Sequence, residues 1–518
     1  MECRGDVTRL PMSRTANVTK NLTVGVISKV FLLGATFVVR TLFIRILGAE
    51  YTGISSLYSN ILSLLNLAEL GFGSVLTYEL YKPLKDNDEE TVAALVALFK
   101  KIYTAVIVVV LTFGLLLIPL LKYIVKSDLN QSELLIYYVL YLMDSVASYF
   151  VAYRTMVIEA DQKYYVTNLA EIIAKFAMYI CQSIYLVLTR DFLGYLIIQV
   201  AFTILKNIAL HIVSLRMYPY LSRKNTACRT NIATGRIYKN VKAMCVTKIS
   251  GVILNQTDSI IISMLLGTVY VGYYSNYYML IVYVNSIYNI VVTSIEASIG
   301  NLNAEADSEK SYAVYKRLSF LMACMNTVCV TIFLCVVQDF ISVWIGTEYQ
   351  QSMLLIVALL STFYLQQSMS IVYIYRQTLG LFESVKKAYP VMAMFNILFS
   401  ILFGKIVGVA GVAFATGFSR LLTVFWYEGK VVFTSLKHKV GEYLADQFAA
   451  MAVTIVIAGV AYAIVGLIPF HGVMGLVSKG TVALTCSMIM LWVSYHQKDE
   501  WKWMTAFVQS NIRTKLHL

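Results

Sequence analysis

The sequence predicts an all-α polytopic membrane protein of about 14 transmembrane helices, arranged as two pseudo-symmetric six-helix bundles plus two C-terminal helices. Three observations predict it. First, 58% of the 518 residues are hydrophobic and only 14% are charged, with a mean hydropathy of +0.70. Soluble domains carry about 25% charged residues, and a globule of this length still needs a polar surface. Second, the apolar residues form continuous runs of about 20, the length of helix that crosses a hydrocarbon core. Lipid offers the backbone no partners, so such runs must be helical, and a β-barrel would show short alternating segments instead. Third, basic residues alternate sharply between successive connecting loops.

Apolar spans lie near residues 22–47, 55–80, 102–121, 134–158, 166–188, 192–215, 241–265, 272–299, 318–338, 351–375, 389–404, 406–427, 447–468 and 472–495. The eleventh and twelfth meet at Phe403-Gly404-Lys405, which predicts a tight hairpin. The segments and loops on one side carry 29 basic residues, from Arg4 and Lys20 through Arg216 and Lys242 to Arg376, Lys386 and Lys387 and on to the tail. The opposite loops hold Lys122, Lys126, Arg190 and Lys405 only. The positive-inside bias therefore places both termini in the cytoplasm and requires an even number of spans. Trp344 falls near an outer boundary, and Trp426 and Trp492 near inner ones, as an aromatic belt predicts.

The expected organisation is a cytoplasmic N-terminal segment (1–21), a first bundle (22–215), a basic linker (216–240), a second bundle (241–427), a cytoplasmic loop (428–446), two further spans (447–495) and a tail (496–518). The halves resemble each other. Leu47-Gly48-Ala49-Glu50-Tyr51-Thr52-Gly53 matches Leu266-Gly267-Thr268-Val269-Tyr270-Val271-Gly272 at an offset of 219, and Lys29 matches Lys248 at the same offset. Both first helices start inside, so the repeats run parallel.

The net charge of +13 is confined to short loops, which fits topology and anionic lipid rather than nucleic acid. The eight cysteines give no disulfide framework. There is no nucleotide-binding loop and no HExxH, and the five histidines are scattered, so no catalytic, cofactor or metal site is expected and the chain does not read as an enzyme. The expected assembly is a monomer surrounded by membrane lipids.

The informative feature is charge inside the spans. Such charge is costly in lipid and usually faces a bundle interior or a water-filled cavity. Lys29 and Arg40 share the first span, about 20° apart around the helix and about 16 Å along it. Glu69 and Glu79 lie in the second span, Asp144 and Arg154 in the fourth, Glu171 and Lys175 in the fifth at i,i+4, Lys206 in the sixth, and Lys248 and Asp258 in the seventh. Two roles are open for each: pairing that holds helices together, or lining a cavity. Lys29, Arg40 and Lys248 have no acidic partner in their own helices, and a cavity with several cations favours an anionic ligand such as a diphosphate. Arg154 and Lys206 join them as candidates. In the eighth span Tyr274, Tyr278, Asn285 and Tyr288 fall roughly on one face. Rings and amides of this kind can stack on and hydrogen-bond sugars, or simply pack between helices. Gly71-Phe72-Gly73, Gly408, Gly411 and Gly417 allow close packing or bending.

The Leu47–Gly53 segment, Leu67-Ala68-Glu69-Leu70-Gly71-Phe72-Gly73-Ser74, and the glycine-rich stretch from Lys405 to Thr416 together resemble the bacterial polysaccharide transporter family. This is a family of oligosaccharide flippases within the multidrug/oligosaccharidyl-lipid/polysaccharide (MOP) superfamily. The resemblance runs from about residue 20 to about residue 495. It implies two bundles facing each other in a V, alternating access, and a polyprenyl-diphosphate-linked oligosaccharide as cargo. It also implies a bacterial cytoplasmic membrane location, and a polysaccharide polymerase or other assembly proteins as candidate partners. Lys29, Arg40 and Lys248 match in kind the cationic cavity of such carriers. Glu69 stands where many relatives have an aspartate. Coupling to a proton or sodium gradient or to membrane potential would involve Glu69, Asp144 or Asp258, with Glu171 and Lys175 as further gating candidates. The alternatives are an ion-coupled small-molecule exporter of the same superfamily and a flippase for the peptidoglycan lipid precursor.

Overall fold

With so few polar side chains, backbone pairing within each segment is the one arrangement that satisfies its N–H and C=O groups in lipid. The computed structural model describes residues 14–66, 72–222, 251–254, 256–304 and 307–516. Every regular element among them is helical. The first seven are α1 (Arg14–Leu65), α2 (Phe72–Lys85), α3 (Glu89–Ile124), α4 (Gln131–Ser148), α5 (Ala152–Ala160), α6 (Tyr164–Thr189) and α7 (Phe192–Met217). A helical stretch over 256–265 precedes α8 (Thr268–Ala304), α9 (Ser308–Trp344), α10 (Met353–Ser368), α11 (Ser370–Thr378) and α12 (Phe382–Val385). Then come α13 (Ala388–Val407), α14 (Val409–Arg420), α15 (Trp426–Ser435), α16 (Val440–Val465), α17 (Gly472–Tyr495) and α18 (Asp499–Leu516). A π turn, Leu421–Phe425, joins α14 to α15.

Eleven helices among the described residues are long and apolar enough to cross a membrane, or twelve if the bent pair α4 and α5 is one span. The expected count of about fourteen is therefore not reached within them. The second expected span runs through residues 67–71, and the seventh through 241–250, both outside the described residues. Ile406 is 78% exposed and Leu188 77% exposed on these helices, which suits contact with lipid rather than water.

The chain divides into two compact units, Met1–Val252 and Ile253–Leu518. In the first, α6 packs on α1 and α7, α4 packs on α7, and α2 packs on α5. In the second, α14 packs on α13 and α10, while α9 packs on α16 and α17. A few landmarks of the second unit lie 219 or 220 residues after those of the first. Helix α3 starts at Glu89 and α9 at Ser308, each capped by an aspartate that accepts a backbone N–H: Asp88 from Thr91, Asp307 from Lys310. The break between α4 and α5 follows Ser148, and that between α10 and α11 follows Ser368. Gly48 and Gly267 both have positive φ, +84° and +116°, a conformation that glycine reaches without a Cβ clash.

Five expectations need correction. The first two spans are not separated by a loop over 48–54, because the helix breaks at Gly48 alone and resumes at once, with the Thr52 hydroxyl donating back to the Gly48 carbonyl at 2.7 Å. The fourth span, expected as one run over 134–158, is divided into α4 and α5 with a 41° bend between them. The tight hairpin turns at Gly408 (φ +70°) rather than at Gly404, so Lys405 lies in the last turn of α13 and not in an outer loop. A Cβ on Gly411 would meet the Phe403 carbonyl oxygen at 2.1 Å, so glycine is required for this approach. The 428–446 segment is helical through Ser435, with Glu428 buried. Arg376, read as a loop cation, lies inside α11 and is 5% exposed.

Candidate functional site

In the first unit α1, α4 and α7 bring polar groups together in an otherwise apolar bundle. Arg40, on α1, lies within electrostatic range of Tyr141 on α4 and Tyr195 on α7. The Tyr141 hydroxyl donates to Ser55 Oγ at 2.6 Å. Nearly one turn further along α4, Asp144 accepts from Gln199 Nε2 at 2.7 Å and Thr203 Oγ1 at 2.6 Å. The i,i+4 spacing of Gln199 and Thr203 on α7 places both donors over one carboxylate. Arg40 and Asp144, sought as separate candidates, thus flank the same tyrosine.

The remaining first-unit candidates form two other groups. Lys175 Nζ lies 2.6 Å from Glu171 Oε1, as the i,i+4 spacing predicts, and Lys206 is within electrostatic range of that glutamate. Arg154 stacks on its neighbour Tyr153, with the guanidinium carbon 5.6 Å from the ring centroid, and its Nε donates to the Tyr153 hydroxyl at 3.3 Å. Lys29 belongs to α1. Glu69 and Lys248 lie outside the described residues.

In the second unit Asp258 is the centre. It is 6% exposed. It accepts hydrogen bonds from the Tyr274 hydroxyl at 3.2 Å and from Thr416 Oγ1 at 3.1 Å, and Asn396 Nδ2 donates to Thr416 Oγ1 at 2.8 Å. Its hydrogen-bond partners among the described residues are all neutral hydroxyls. A buried carboxylate held only by neutral donors favours a cation or a proton as its further partner. Tyr274 stacks on Tyr278 at 5.6 Å and 13°. Asn285 is tied to Gln367, which donates to it at 2.6 Å. Tyr288 is 1% exposed and packs edge-on against Phe363. The four expected sugar-facing residues therefore separate: Tyr274 and Tyr278 adjoin Asp258, Asn285 faces α10, and Tyr288 belongs to the core.

Sequence reasoning missed two ion pairs, one buried and one half-buried. Arg376 Nη1 lies 2.9 Å from Glu428 Oε1, with both side chains buried, and Tyr389 bridges them. Lys479 on α17 lies 2.8 Å from Asp339 on α9. The available signal was opposite charge within apolar runs. A small crevice lined by Tyr315, Lys316, Gln447, Tyr495 and Lys498 holds none of the expected site residues.

A family profile described as "Polysaccharide biosynthesis protein" matches residues 18–295, more than half of the chain. The chain belongs to this family. A search of curated protein sequences found no match. Among solved structures, the family member described here is similar to a lipid II flippase MurJ in an inward closed conformation, with a TM-score of 0.67 at 14% identity over 91% of this chain and 98% of that one. It is also similar to an inward-facing multidrug resistance MATE transporter of the MOP superfamily, with a TM-score of 0.57 at 14% identity over 78% and 94%. The bent form of the Vibrio cholerae MATE transporter VcmN gives 0.51 at 10% identity over 82% and 98%. At these identities the likeness establishes the fold. The chain is thus a multi-pass membrane protein with the fold of non-catalytic translocases.

Proposed function

We propose that this protein is a flippase that carries a polyprenyl-diphosphate-linked oligosaccharide from the cytoplasmic to the outer leaflet by alternating access. The product would serve capsule, exopolysaccharide or wall polymer assembly. The fold serves drug exporters and lipid flippases alike, so the choice rests on charge. The observation that carries it is the placement of Arg40 inside a membrane span, beside Tyr141 and Tyr195. A carrier of cationic drugs needs acidic groups at that point, whereas a carrier of diphosphates needs cations. In the sequence Lys29 adds a second cation to the helix of Arg40, Lys248 stands at the matching position of the other half, and Arg154 and Lys206 add cations from the fourth and sixth spans. The recurrence of the aspartate cap, the positive-φ glycine and the helix break at offsets of 219 or 220 supports a parallel duplication.

In this reading the cations draw in the diphosphate, the sugars follow a water-filled path, and the prenyl chain stays in lipid. Tyr278, the more exposed of the stacked pair, offers a ring face to the sugars. Asp258 binds a cation or proton and biases the switch, which couples transport to an ion gradient or the membrane potential. Asp144, saturated by Gln199 and Thr203, holds α4 to α7. Both termini are cytoplasmic, and the membrane is the bacterial cytoplasmic membrane. The test is depletion of the protein in its own cells, followed by identification of the lipid-linked intermediate on the cytoplasmic leaflet. Accumulation of an oligosaccharide diphospholipid is expected. Unchanged lipid intermediates with altered drug sensitivity would replace this reading with that of an exporter.

A further inference from the structure

Buried charge in the second unit does not balance. Arg376 on α11, Arg420 at the end of α14 and Glu428 on α15 gather around Tyr389 of α13. The single carboxylate is already engaged: Arg376 Nη1 lies 2.9 Å from Glu428 Oε1, and the Tyr389 hydroxyl donates to the same oxygen at 2.7 Å. Arg376 also donates to Tyr389 at 3.0 Å and lies over the Tyr373 ring at 4.4 Å. Arg420 is different. It lies within electrostatic range of Tyr389, Glu428 and Tyr278, yet makes no hydrogen bond or ion pair with another described residue, and its Nε is wholly buried. Two guanidinium groups thus face one carboxylate, and one positive charge is left over inside the span. A buried charge without a partner is strongly unfavourable, so such a group commonly waits for a ligand.

The residue is only partly covered, so an approach remains open. The guanidinium fork matches two oxygens of a phosphate better than a point charge does. Tyr278 adds a ring stacked on Tyr274, which hydrogen-bonds Asp258. Arg420 also lies one helical turn beyond Thr416, the other donor to Asp258, about 6 Å along the axis. We infer that Arg420 is an anion-binding residue of the second half, taking one phosphate group of the cargo beside Tyr278. This rests on the flippase reading and adds to it a phosphate contact that is independent of Lys29 and Arg40.

The test uses the full-length protein in detergent, with farnesyl diphosphate, inorganic diphosphate and uncharged farnesol as probes. Wild type should bind farnesyl diphosphate. Arg420→Gln should bind it about tenfold to a hundredfold more weakly, the effect of losing a charged hydrogen-bond donor. Arg420→Lys should fall between, and Glu428→Gln should bind more tightly, since it removes the competing carboxylate. Farnesol binding should be alike in all four proteins. Inorganic diphosphate distinguishes the source: full competition means the phosphates alone fill the site, partial competition means the prenyl chain contributes, and both patterns support it. Equal diphosphate affinity in wild type and a folded Arg420→Gln overturns this inference alone. Should that variant fail to fold, Arg420→Lys decides, and wild-type affinity in it is equally fatal. If wild type binds neither diphosphate, both this inference and the flippase reading fall.

Discussion

The two units share a plan and differ in what they bury. Each has a span that ends at a positive-φ glycine, a long helix capped by an aspartate, and a fourth span broken near its middle. Yet the first unit places Arg40 among tyrosines, whereas the second, at the neighbouring position of the repeat, places Asp258 among hydroxyls. The short helix after the break carries an arginine in both, half-buried in the first unit and buried in the second. In the first unit Arg154 rests on a tyrosine ring, and in the second Arg376 is locked to Glu428. The backbone plan repeats because breaks and caps depend on a few local residues. Side-chain charge is freer to diverge, and it differs between the two units at these positions.

The largest expected effect tests the contrast between the arginines. Arg376→Met should destabilise the protein by about 3–5 kcal/mol, because it strands a buried carboxylate. The double variant Arg376→Met/Glu428→Leu should recover most of that loss. Arg154→Met should shift stability by less than about 1 kcal/mol, since its partner is a ring rather than a charge. Thermal unfolding in detergent measures all three, and equal losses at 154 and 376 would erase the distinction. Next comes transport. Arg40→Gln should lower head-group translocation about tenfold to a hundredfold at normal protein levels. Asp258→Asn should remove its dependence on the ion gradient. A variant at 40 that loses ion dependence instead would reverse the roles assigned to the halves.

Gly48→Ala and Gly267→Ala should each destabilise by about 1–2 kcal/mol, the strain of placing a Cβ at positive φ. Markedly unequal values would show that the two breaks are not equivalent. The smallest effect concerns Asp88. Hydrogen bonds from the Thr91 hydroxyl and amide hold its carboxyl below the usual carboxylate value. The contribution of this cap is therefore complete at neutral pH and fades as the pH falls through the lowered value. Asp88→Ala should be slightly less stable than wild type at neutral pH and indistinguishable from it in acid.

The spans were legible because apolar runs and loop charge are local properties. So was Gly48, since a glycine after a span in a repeated heptapeptide marks a break. The Glu171–Lys175 pair was legible because its partners are four residues apart. The Arg376–Glu428 pair was not. Arg376 stands where an apolar run fades, which looks like a loop, and its partner is 52 residues away in what reads as the next cytoplasmic segment. Lys479 and Asp339 are 140 residues apart and meet only when α17 packs on α9. Asp258 was recognised as a buried acid, but Thr416 and Asn396 come from distant helices, and nothing in the sequence marks a threonine or an asparagine as its company.

The π turn between α14 and α15 has a further effect, on counting. In an uninterrupted α-helix, residues 420 and 428 would point about 80° apart, since each residue turns the chain by about 100°. A π turn holds one surplus residue, like a dislocation in a crystal row. Removing it from the count brings Arg420 and Glu428 to within about 20° of one another, on a single side of the rod. The same surplus lets Val424 and Phe425 join Met369, the residue at the α10–α11 break, in one apolar cluster. Two defects in neighbouring helices are thus pinned to each other. Sliding the surplus residue by one place would swing a guanidinium through more than a quarter turn while both ends of the helix stay still.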